Sequence, residues 1–174
     1  YDLEAIGTLG FRGEALAAIS AVSRIDVMSR TQDAPLGASL SLEGGVAGPV
    51  EQAGCPLGTT MVVRDLFYNT PARLKFMKKD AAEGAAVFGV VQRVALSHPE
   101  VAVKFLRDGK QELATPGDGQ LRSAVYAVLG RDLALGFTQV DSSDEGMSVS
   151  GFVSQPSCCR ASRNWQFFFV NGRQ

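Results

Sequence analysis

From residue 14 onward, Leu16, Ile19 and Val22 recur at helical spacing in an alanine-rich run, which predicts a helix over Glu14–Ser23 behind a glycine-rich loop over Gly7–Gly13. At Arg24 the period changes to that of a strand, with Ile25 and Val27 alternating against Asp26 and Met28. Ala38–Leu42 and Val46–Glu51 flank Gly44-Gly45 as the arms of a hairpin, and Thr59–Phe67 is a further β-branched strand. Thr70-Pro71 offers an N-cap followed by the residue best suited to a first helical position, so a short helix should start there. A longer helix over Ala81–Ser97 aligns Val87, Val91 and Val94. Val101–Leu106 and Gln111–Thr115 bracket the hairpin signal Asp108-Gly109. Pro116-Gly117-Asp118-Gly119 reads as a boundary, dividing residues 1–115 from 116–174. Beyond it come a helix over Leu121–Leu129 closed by Gly130, then strands near Leu133–Val140, Met147–Val153 and Asn164–Val170. Hairpins mixed with helices define an α+β class rather than the regular alternation of a doubly wound fold.

Composition narrows the function classes. With 17 basic against 18 acidic residues, net charge supplies no general attraction to nucleic acid or membrane, so any such surface must be local. No apolar run approaches the roughly 20 residues of a membrane span, and no secretory pattern opens the chain. Cys55, Cys158 and Cys159 follow no metal spacing and form no even disulfide framework, as expected of reduced thiols. His98 is the only histidine and stands at a helix end before Pro99, which leaves zinc and histidine-centred chemistry without support. A chain that starts at Tyr1 and stops just after an apolar strand is expected to be a piece of something longer.

The sharpest chemical feature is Gly10-Phe11-Arg12-Gly13-Glu14-Ala15-Leu16, a glycine-rich loop running straight into a helix. Such glycines let backbone approach a ligand, and the unpaired amides and dipole of a helix start suit phosphate. Spacing alone somewhat favours an ordinary flexible turn before a helix. Neither the P-loop pattern nor a dinucleotide fingerprint is present.

GFRGEAL, then GTTMVVRDLFYNTPARLKF (Gly58–Phe76), then FVNGR (Phe169–Arg173) occur in order. Together they closely resemble the N-terminal ATPase region of the MutL family of DNA mismatch repair proteins, within the GHKL superfamily. The resemblance runs over essentially the whole chain. It implies the later part of a GHKL (Bergerat-type) α/β sandwich over residues 1–115, followed by the first part of a ribosomal protein S5 domain 2-like transducer domain over 116–174.

It further implies that Gly10, Phe11, Arg12, Gly13, Glu14, Ala15 and Leu16 belong to a lid over ATP, with main-chain amides against the phosphates. Arg12 could add a charge-assisted contact or pair with a nearby carboxylate. Glu14 would repel phosphate and fits the helix start better. The family's GT element falls on Gly58-Thr59, where the Thr59 hydroxyl would help bind near the adenine, although β-propensity alone accounts for a threonine there. The glutamate base, the Mg²⁺-binding asparagine and the adenine-reading aspartate of the family are expected before Tyr1, and its phosphate-sensing lysine after Gln174. The chain is therefore expected to hold no catalytic residue or metal ligand and to hydrolyse no ATP alone. In the whole protein, ATP and Mg²⁺ would drive dimer closure.

Arg73, Lys75, Lys78 and Lys79 cluster without an acidic residue in PARLKFMKK, and Arg93 lies on the next helix. The resemblance implies DNA contact, mostly to phosphates, with Lys78 and Arg93 as the candidates. Implied partners are DNA, a MutS-type mismatch recogniser and a second copy of the protein, in the cytoplasm and nucleoid-associated if bacterial, with no membrane. Two rivals stand beside this reading. One is another GHKL enzyme such as a topoisomerase ATPase subunit, against which FYNTPAR argues. The other is a nucleotide-gated scaffold in which hydrolysis only resets the state.

Overall fold

The computed structural model describes residues 14–174, which divide between two compact units, the first ending at Lys78 and the second running over Lys79–Gln174. The molecule is α+β, as the hydrophobic pattern predicts.

In the first unit, helix α1 (Ala15–Ser20) leads into an antiparallel sheet of β1 (Arg24–Arg30), β2 (Gly37–Glu43), β3 (Val46–Ala47), β4 (Glu51–Ala53) and β5 (Gly58–Arg64). The order is β3-β2-β1-β5, with β4 also paired to β2. The arm expected over Val46–Glu51 breaks into β3 and β4 because Pro49 has no N–H to give the ladder; Gly48 still donates to the Ser41 carbonyl at 2.9 Å. The predicted strand to Phe67 stops at Arg64, since Asp65 and Phe67 take positive φ (54° and 67°) and turn the chain back. There the Phe67 N–H donates to the Val22 carbonyl (2.6 Å) and Asn69 Nδ2 to the Ala21 carbonyl (2.9 Å), which locks the turn onto the α1–β1 connection. Ser23, fully buried in that connection, donates its hydroxyl to Ile19. The unit closes with α2 (Pro71–Phe76), whose Pro stands at its start as expected.

The second unit holds α3 (Asp80–Ser97), the hairpin β6 (Lys104–Arg107)–β7 (Lys110–Ala114), α4 (Leu121–Leu129), α5 (Arg131–Leu135) and the hairpin β8 (Phe137–Asp144)–β9 (Met147–Ser154). Its core joins Ala95 and Leu96 of α3, Leu113 of β7, Ala124, Val125 and Val128 of α4 and Ala134 of α5. Both hairpins turn on an acidic residue then glycine at positive φ, Asp108-Gly109 and Glu145-Gly146, the conformation that matches strand twist.

Three expectations for this unit are corrected. Val101–Val103 stay outside β6 because the buried Thr115 hydroxyl replaces the ladder, accepting from Val103 N–H (3.0 Å) and donating to the Val101 carbonyl (3.3 Å). Leu133–Leu135 are helical rather than extended: Gly130 (φ 83°) ends α4, Asp132 suits the first turn of a new helix, and Ala134 is driven into the core. The strand over Asn164–Val170 is absent. A single 3₁₀ turn (Arg163–Trp165) gives way to irregular chain and one bridge between Val170 and Arg173. The period of two survives, with Phe167 and Phe169 against the core and Phe168 and Val170 exposed, but no strand among the described residues lies beside it to form a ladder.

Candidate functional site

Gly10, Phe11, Arg12 and Gly13 lie outside the described residues. Of the remaining lid candidates, Glu14 is exposed and caps nothing with its side chain. The first bond of the α1 ladder runs from Ala18 N–H to the Glu14 carbonyl (3.0 Å), so the amides of Ala15, Leu16 and Ala17 fall outside that ladder. Leu16 is half exposed. Thr59 stands second in β5, opposite Ser29, and the two hydroxyl oxygens are 2.9 Å apart. The sheet separates these candidates: α1 enters β1 at Arg24, whereas Thr59 pairs with the far end of that strand, about 16 Å along at the usual rise.

Between those ends lies a charged cluster that the sequence reading missed. Arg24 donates to Glu43 from Nε (3.0 Å) and to Asp65 from a terminal nitrogen (2.9 Å), with its guanidinium carbon 4.0 Å from the Tyr68 ring centre. The hydrogen bonds to Asp65, then Glu43, hold the guanidinium above its already high pKa. Asp26 accepts from the Ser41 hydroxyl (2.7 Å) and pairs with Arg64; Ser41 foremost, then Arg64, keeps its carboxyl below the ordinary carboxylate range. The cluster walls a concavity of about 560 Å³ with Leu42, Val46, Ala47 and Gly48. Its two cations and three carboxylates are satisfied by one another, so it acts as a polar joint tying β1, β2, β5 and the 65–68 turn together. Strand alternation carries the signal that could have found it, because Ile25 and Val27 facing one way send Arg24 and Asp26 the other.

The basic stretch is laid out along α2 and the residues after it. Arg73 and Lys75 occupy the last turn, where cations complement the helix dipole, and the Arg73 guanidinium carbon is 6.0 Å from the Phe67 ring centre. Phe76 is 89% exposed beside them. Lys78 and Lys79 are exposed, while Arg93 is half-buried on α3 of the second unit. Among the described residues, no group of three or more His, Cys, Asp or Glu side chains could hold a metal ion, and no helix is long and apolar enough to cross a membrane.

Solved structures place this arrangement. The Aquifex aeolicus MutL ATPase domain complexed with ADP superposes with a TM-score of 0.68 at 32% identity, over 82% of this chain and 56% of that one. The N-terminal domain of a DNA repair protein matches at TM-score 0.73 and 27% identity, over 95% and 56%. The fold is thus that of GHKL-type ATPase domains. Residues 125–174 match the family described as DNA mismatch repair protein, C-terminal domain. The DNA mismatch repair protein MutL of Symbiobacterium thermophilum is 47% identical over 172 residues, and that of Desulforudis audaxviator 48%. Each alignment covers 99% of this chain and 27% or 30% of the relative, so the chain spans under a third of their length. The chain belongs to the MutL family of DNA mismatch repair proteins, within its N-terminal region.

Proposed function

We propose that the whole protein binds and hydrolyses ATP and couples nucleotide state to dimer closure, DNA binding and recruitment of a MutS-type partner in the cytoplasm. The observation that carries this reading is the likeness, across four-fifths of the chain, to an ATPase domain complexed with ADP. Main-chain amides of Gly10, Phe11, Arg12, Gly13, Glu14, Ala15 and Leu16 take the phosphates, and the amides of Ala15, Leu16 and Ala17, outside the α1 ladder, suit oxygens of that kind. Thr59 serves the adenine side, its hydroxyl oriented by Ser29. Mg²⁺ accompanies the nucleotide in the whole protein, and no group of three or more His, Cys, Asp or Glu side chains among the described residues could hold it. Residues 1–115 and 116–174 are read as the ATPase and transducer parts.

DNA phosphates are held by Lys78 and Arg93. In the whole protein, Lys78→Glu should weaken binding to duplexes of unrelated sequence alike. It should also lower the slope of log affinity against log salt by about one, because one fewer counterion is released. Filter binding across a salt series measures both. An unchanged slope with unchanged affinity removes Lys78 from the interface.

A further inference from the structure

The second unit contains a site that the nucleotide reading leaves unused. Cys158 closes a 3₁₀ turn over Pro156–Cys158, and Cys159 follows it. Both thiols are free, Cys158 half-buried and Cys159 exposed. One end of the β8–β9 ladder gathers them. Phe137 pairs with Ser154, and just beyond that pair the Gln155 N–H donates to the Gly136 carbonyl at 2.8 Å. Cys158 Sγ packs where a side chain on Gly136 would stand; Cys159 Sγ lies 3.8 Å from Ser154 Oγ and 3.6 Å from the Gln155 carbonyl oxygen. The two cysteines line one hollow. Leu129, Leu133, Phe137 and Trp165 join them around a cavity of about 190 Å³.

Consecutive cysteines lining one hollow suit a soft electrophile that takes two sulfurs at once, and the apolar part of that hollow suits an aromatic group. We propose that Cys158 and Cys159 form a dithiol site for trivalent organoarsenicals, with the aryl group seated beside Trp165. Two As–S bonds replace the bonds from arsenic to oxygen, the two thiol protons leave with that oxygen as one water, and arsenic stays trivalent. Because the second As–S bond forms within an adduct already attached, effective concentration raises retention by roughly a hundredfold over a single thiol.

Phenylarsine oxide is the probe. The native chain should gain one phenylarsenic group per molecule by intact mass, keep it through gel filtration, and release it to 2,3-dimercaptopropanol but not to an equal thiol concentration of 2-mercaptoethanol. Emission from Trp165, the only tryptophan, should change as the group binds. Cys158→Ser and Cys159→Ser should each lower retention by roughly a hundredfold, while Cys55→Ser changes nothing. Far-ultraviolet circular dichroism identifies any variant that fails to fold; for such a variant, peptide mapping of the native adduct supplies the answer by locating the arsenic on residues 158–159 or elsewhere. Retention by either folded single variant, release by the monothiol, an unaltered Trp165 signal, or arsenic mapped outside the pair overturns the assignment.

Discussion

Leu113→Ala should destabilise the second unit by about 2–5 kcal/mol, the cost of removing a fully packed leucine and leaving a hole. Leu113 is 3% exposed and sits on β7 opposite Phe105 of β6. It is the strand's contribution to a core otherwise built from helices α3, α4 and α5. Phe105 in turn meets Phe88 of α3, ring centres 5.5 Å apart and tilted by 48°, so the hairpin is anchored through two neighbouring side chains on one rung. Neither ring can slide into the space of a lost isobutyl group without giving up that contact. Urea unfolding read by far-ultraviolet circular dichroism measures the loss. Val149→Ala on β9, where the side chain is largely exposed, should fall within about 0.5 kcal/mol of the native chain. Equal effects from the two substitutions would contradict the assigned core.

Gly117→Ala should cost roughly 2–4 kcal/mol, and Gly119→Ala, two residues away, only about 1. The two glycines share the same left-handed backbone, φ 69° and 74°, so conformational strain is common to both. What differs is the surroundings. A methyl at Gly117 would stand 2.9 Å from Ala102 Cα and closer still to the Ala102 nitrogen, whereas one at Gly119 meets open space. Main chain cannot rotate aside as a side chain can, so the segment must shift and disturb the neighbouring Thr115 bonds to Val101 and Val103. Denaturant titration of both variants under the same conditions gives the difference directly. The Pro-Gly-Asp-Gly stretch that reads from sequence as a boundary is therefore also a packed turn.

Much of the fold is legible from local rules. The β1 alternation, the Thr70-Pro71 helix start, the Asp108-Gly109 hairpin and the glycine after Leu129 depend on neighbours in sequence, and each appears where its residues predict. The misses share a different origin. Leu133–Leu135 became helical because Ala134 finds the α4 core, and Asn164–Val170 kept a strand's alternation without a partner strand. Neither follows from local periodicity: the first is a packing contact with the preceding helix, and the second turns on whether a partner strand lies alongside. Nor does the Arg24–Glu43–Asp65 joint: 19 and 41 residues separate its partners, a span no local periodicity conveys. For the proposed site the sequence offers a motif and no geometry. Thr59 shows why, since its hydroxyl engages Ser29 through strand register, which the GT spelling does not encode.

Amide hydrogen exchange across residues 10–16 of the whole protein, with and without a non-hydrolysable ATP analogue, tests the central claim most directly. Main-chain groups that grip a triphosphate should exchange more slowly when the analogue is bound, with Gly13 and the amides opening α1 among the most protected. Saturating nucleotide that leaves exchange in this stretch unchanged would show that its amides hold no phosphate.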